Sequence, residues 1–160
     1  MQANVIGRVR NTPLPQSQAL LPLYEAIINS IDAIEDSGHE LADGFIDIFI
    51  LRQYPSALVV DDENNPEIQN PISGFEIHDN GIGFTKKIFQ SFNEADTQFK
   101  SQRGGKGVGR FLWLKAFEKV EVESSFLVNK KIEQRTFTFS LGSPDGISDH
   151  QIIDSLPLWC

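Results

Sequence analysis

Three short runs of this sequence carry residue types that chemistry needs, at spacings a fold can use. The first is EAIINSIDA, in which Glu25, Asn29 and Asp32 recur at i, i+4 and i+7 and share one helical face. The stripe borders Tyr24 and Ile28, and for an isolated Glu or Asp a solvated polar face is the plain reading. Asn29 argues otherwise, because a mid-helix amide competes with the backbone for hydrogen bonds. Between two carboxylates and toward the core side, it suits ligation of a metal or water. Carboxamide and carboxylate oxygens fit Mg²⁺, which keeps waters and phosphate oxygens as its other ligands.

The second run is HDNGIGF, residues 78–84, at the end of the strand-like ISGFEI. Asp and Asn stabilise turns through their side chains and glycine supplies positive φ, so a tight turn alone would explain it. Asp79 is nevertheless a hydrogen-bond acceptor placed at a chain reversal. The third run is GGKGVG, residues 104–109, leading into a helical pattern. Glycines let backbone N–H groups approach an anion, and a helix N-terminus adds its positive end. Arg103 and Lys106 add cationic charge there, and a flexible hinge is the plainer alternative. The run is not a P-loop, since Gly107 follows Gly105-Lys106 where Ser or Thr is required. The dinucleotide and kinase glycine patterns fail too, because their third glycine falls on Arg110.

These runs need elements to hold them. Residues 17–38 read as one long helix, with Leu20, Leu23, Tyr24, Ile27, Ile28, Ile31 and Ile34 near the 3.6 period and Ser37-Gly38 as its stop. FIDIFILRQY, SALVVDD and ISGFEIHD read as strands, and TKKIFQSF as a short helix capped by Thr85. Residues 93–109 have no clear periodicity, and a connection of that length in a compact domain is usually functional, commonly a lid. VGRFLWLKAFEKV returns to helical periodicity, and EVESSFLV and EQRTFTFSL form a hairpin across NKK. Helices and strands in this order predict an α+β two-layer sandwich, with helices on one face of a mixed, mostly antiparallel sheet.

Composition bounds the function classes. The 160 residues suffice for one domain with a core. A net charge of −8 argues against broad electrostatic binding to DNA or anionic membrane. The single cysteine, Cys160, permits no internal disulfide, no leader-like apolar segment opens the chain, and no apolar run reaches the roughly 20 residues of a membrane span. A soluble cytoplasmic domain is expected. The apolar ending DSLPLWC suggests a natural chain that continues beyond Cys160. The three histidines, His39, His78 and His150, show no metal-ligand spacing, and His78 is most simply a strand-end residue.

In their order, EAIINSIDA, DNGIG and GGKGVGRF resemble the GHKL ATPases: gyrase B, Hsp90, sensor histidine kinases and MutL. LLPLYEAIINSIDAI and GKGVGRFLWLKAF look similar to bacterial Hsp90-like and MORC-like ATPase domains. The resemblance spans nearly all of residues 1–160. It implies the Bergerat fold, with ATP between the helices beneath a lid at about 93–109.

By motif, Glu25 resembles the general base that deprotonates the water attacking the γ-phosphate. Asn29 resembles the Mg²⁺ ligand, and Asp32 a member of the surrounding layer near the adenine side. Asp79 resembles the acceptor for the adenine amine and a bound water, with Gly81 and Gly83 leaving room for the base and the chain reversal. Gly105, Gly107 and Gly109 would give N–H groups to phosphates, with Lys106 as a point charge, and Ala33, Phe84, Gly104 and Val108 complete the implied nucleotide-contact positions. Such chemistry needs positioning and charge neutralisation more than covalent help. Glu at position 25 favours hydrolysis over histidine-kinase transfer, since kinases generally carry Asn there. The implied role is an ATP-driven switch that homodimerises within a longer protein, with an ATP-sensing module lacking turnover as the alternative. Any nucleic-acid or client-protein partner would act through further domains. Two departures stand out. No later Gly-Thr supports Asp79, leaving Thr136, Thr138 or a residue beyond Cys160 for that role, and relatives often borrow a Lys or Arg from a following domain.

Overall fold

A computed structural model describes residues 5–38, 40–53, 71–93 and 109–157. Among these, four α-helices accompany five strands: α1 (Val5–Asn11), α2 (Leu21–Asp36), β1 (Ile46–Arg52), β2 (Ile72–Asp79), α3 (Lys86–Asn93), α4 (Arg110–Ala116), β3 (Lys119–Val128), β4 (Lys131–Ser140) and β5 (Ile147–Pro157). The chain is therefore α+β. All pairings of the described strands are antiparallel, in two sheets ordered β1-β2 and β3-β4-β5. The expected strand SALVVDD and most of the expected lid lie outside the described residues.

The long predicted helix is shorter than its periodicity. A 3-10 turn occupies Gln16–Gln18, and Pro22 in the first turn sets the start of α2, where a missing N–H costs nothing. At its end Ser37 N–H and Oγ both donate to the Ile34 carbonyl, and Gly38 takes φ +76°. The predicted apolar face is buried only in part, at Ile34, with Leu23 and Ile27 half-buried. Leu20, Tyr24, Ile28 and Ile31 remain 43 to 52% exposed, whereas Pro22, Ser30 and Ile34 are buried. Thr85 caps α3 as expected, accepting from Ile88 N–H at 3.4 Å through Oγ1 and from Phe89 N–H at 2.8 Å through its carbonyl.

Helix α4 stops at Ala116, and Phe117 is extended, so Lys119 and Val120 belong to β3 rather than to the helix. The hairpin turns through Asn129 and Lys130, both at positive φ (49° and 64°), the two-residue geometry whose twist matches the flanking strands. Along β4, Arg135, Phe137 and Phe139 are buried while Thr136 and Thr138 alternate to the other face. The core sits between this inner face and the helices: Val5 and Val9 from α1, Phe92 from α3, Phe111 and Leu114 from α4, Phe137 and Phe139 from β4. Phe92 is its hub, with ring centroids 5.2 Å from Phe139, 5.5 Å from Phe137 and 5.6 Å from Phe84. Burying a phenylalanine contributes about 1.5–3 kcal/mol, so these rings dominate the cohesion of helices and sheet. Helix α1 and strand β5 were not anticipated from sequence.

Candidate functional site

Helix α2 and the turn after β2 build the site. On α2, Glu25, Asn29, Asp32 and Ala33 are all half-buried and share one side, within about 100° of arc by helical geometry. About 60° further around the helix from Ala33, Ser30 is 6% exposed and donates its hydroxyl to Asp79 Oδ2 at 2.7 Å. The other carboxylate oxygen, Oδ1, accepts the Gly81 N–H at 2.9 Å, and Ile82 N–H donates to the Ala33 carbonyl at 2.9 Å. Asp79 is thus fixed by two donors, each oxygen keeping a lone pair for a further donor.

Ser30 is a partner of Asp79 that sequence reasoning missed. Thr136 and Thr138 lie on the face of β4 opposite Arg135, the residue that meets the turn, so the pleat turns them away from Asp79.

The glycines of the turn serve the protein's own packing. A Cβ at Gly81 would lie 2.6 Å from the Ala33 carbonyl carbon and 2.8 Å from the Ile34 nitrogen, so only glycine lets the turn touch the α2 backbone. Gly83 has φ +74°, and a Cβ there would meet Ser124 Oγ and the Ser125 carbonyl, both at 2.7 Å. The room expected for a base at these glycines is taken by α2 and β3. Phe84 N–H donates to Ser124 Oγ at 2.7 Å. Asn80 ties the turn to the start of β1, accepting from Phe45 N–H at 2.9 Å and donating to the Asp43 carbonyl at 2.8 Å.

The third run is described only at Gly109, which precedes α4; Gly104, Gly105, Lys106, Gly107 and Val108 lie outside the described residues. Gly109 packs directly on Glu25, and a Cβ there would overlap the Glu25 carboxylate. The Trp113 indole N–H donates to the Pro22 carbonyl at 3.0 Å and so holds α4 along the start of α2. Helix α2 therefore brings Glu25 to the third run and Ser30 and Ala33 to the second.

Among the described residues no three His, Cys, Asp or Glu side chains are grouped to hold a metal ion. Asn29 with waters and phosphate oxygens remains a chemically consistent set for Mg²⁺, which needs few protein ligands. His78 lies on the outer face of β2, its Nε2 2.6 Å from Glu76 Oε1 and its ring 5.3 Å from Phe49. An apolar hollow of about 300 Å³ lined by Ile31, Ile34, Gly44, Phe45 and Ile46 opens on the far side of α2 from Glu25. No helix of the described residues is long and apolar enough to cross a membrane. Comparison with protein-family models, with curated proteins and with solved structures returned no match.

Proposed function

We propose that this chain binds ATP with Mg²⁺ on the surface shared by the Glu25–Asp32 side of α2 and the Asp79 carboxylate, and hydrolyses it as a nucleotide-driven conformational switch of the GHKL type with a Bergerat sandwich. One observation carries the reading: α2 meets both Gly109 and the Asp79 turn, through Glu25 at the first and Ser30 with Ala33 at the second. The Glu25–Asp32 stripe, the Asp79 turn and Gly109 thereby meet on one helix.

In this reading Asp79, oriented by Ser30 and Gly81, accepts from the exocyclic amine of adenine. Asn29 is the protein ligand for Mg²⁺, which when bound would neutralise phosphate charge. Glu25, one turn away on the same face, holds and deprotonates the attacking water at its carboxylate. Gly109 must stay small so that this carboxylate keeps its place.

Base recognition by a single acceptor predicts a preference for adenine. Calorimetric titration of the chain with MgATP should give binding, and MgGTP, which presents a carbonyl where adenine has its amine, should bind at least about tenfold more weakly. Equal affinity for both would sink the assignment of Asp79. A second reading, ATP sensing without turnover, draws on the contact of the Glu25 carboxylate with Gly109, which leaves no space for a water between them. Phosphate release by the chain, measured beside binding, separates the two.

A further inference from the structure

Arg135 is 3% exposed, and among the described residues no carboxylate pairs with it. Its Nε donates to the Phe84 carbonyl at 2.9 Å, and its Nη1 lies 2.8 Å from His150 Nε2. The guanidinium stands 4.4 Å from the Phe89 ring centroid and 5.4 Å from that of Phe126. A buried cation is costly unless hydrogen bonds and π faces hold it. Here those bonds are spent on the end of the turn that begins at Asp79.

The geometry is that of a clamp. Ser124 and Arg135 are directly paired across β3 and β4. Ser124 takes the N–H of Phe84 and Arg135 takes its carbonyl, so one cross-strand pair holds both polar groups of a single peptide residue. A bulge in β5 supplies the third part. Thr138 pairs with Ser148 and Thr136 with Gln151, leaving Asp149 and His150 opposite Phe137 alone. Asp149 takes φ +53°, and the bulge brings His150, which stays exposed, beside Phe89, where its ring stacks at 4.4 Å. An arginine only donates, so the His150 Nε2 facing it must be the acceptor, with the ring neutral and its proton on Nδ1.

Resting on the reading that the 79–84 turn carries the nucleotide, we propose that Arg135 is a positioning residue for that turn, locked by the acceptor nitrogen of His150. The lock responds to acid. Burial first, then the charge of Arg135, hold His150 below its ordinary value of 6.5. A depressed histidine contributes stability fully above its unfolded value and loses it as pH falls through its folded one. Arg135 is the charged group facing His150 from β4, the Phe89 ring faces it from α3, and the neighbouring Asp149 carboxylate accepts from Ser148.

The test uses the whole chain, MgATP calorimetry and amide exchange in the turn. At about pH 7.5, Arg135→Lys and His150→Phe should each weaken MgATP about tenfold and speed exchange at Phe84 N–H in chains that remain folded. His150→Gln keeps a carbonyl acceptor at every pH, so the affinity loss of wild type at about pH 5.5 should vanish in it. Unchanged affinity in both folded variants overturns the proposal, as does an equal acid response in His150→Gln. If wild type binds no MgATP, the nucleotide reading of the turn fails. Exchange then reads the Arg135 clamp by itself, and unaltered exchange in Arg135→Lys overturns that as well.

Discussion

Asp79 and Glu25 are held by different means, and the difference sets what each can do. Asp79 is oriented by a buried hydroxyl and a backbone N–H, whereas Glu25 is placed by contact with a glycine across two packed helices. If Glu25 is the base, Glu25→Ala should lower phosphate release by about 10²–10⁴-fold while MgATP affinity stays within about threefold. Wild-type turnover in that variant would remove the assignment. The shared helix side of Glu25, Asn29 and Asp32 and the turn at Asp79 were legible in sequence, because helical spacing and a glycine-flanked acidic turn are local patterns. Ser30 was not singled out, since a serine inside an apolar helix carries no spacing signal. Arg135 was invisible for a stronger reason. Alternation puts it on the face of Phe137 and Phe139, but what it holds depends on the pairing with Ser124 and the bulge in β5, contacts far apart in sequence.

At the scale of elements, local periodicity served α2, β1, β2, α3 and the β3–β4 hairpin, all within a few residues of their expected positions. It failed for α1, whose buried stripe is only Val5 and Val9, and for β5, whose alternation the Asp149–His150 bulge breaks. The buried side of α2 was anticipated only in part because its contacts are set by non-local partners: Asp79, Gly81 and Trp113 meet the helix at Ser30, Ala33 and Pro22. Two substitutions test the elements directly. Gly81→Ala places a methyl against the α2 backbone, which cannot rotate away, and should cost about 1–3 kcal/mol, visible as a lower melting temperature. Lys130→Gly relieves a left-handed lysine in the hairpin and should stabilise by about 1 kcal/mol, raising the melting temperature by about 2–4 °C. A fall in melting temperature for Lys130→Gly would show that the turn is not in the two-residue geometry described.

At the scale of the molecule, the two antiparallel sheets and four helices among the described residues are arranged so that α2 touches the turn of one sheet and the helix packed on the other. That placement gives a nucleotide-driven switch a physical route. A ligand bridging α2 and the turn would bear on Ser30, on Gly109 and, through Phe84, on the β3–β4 pair. The α+β class followed from the order of elements, but the division of the strands into separate sheets did not, because strand pairing is fixed by contacts far apart in sequence. The most direct measurement is MgATP titration of wild type against Asp79→Asn. The amide is isosteric but replaces one acceptor by a donor, opposing both the Ser30 hydroxyl or Gly81 N–H and the adenine amine. Wild type should bind, and Asp79→Asn should bind at least about 30-fold more weakly while keeping its fold, a loss of about 2 kcal/mol. Equal binding by the two chains would contradict a nucleotide site at this turn.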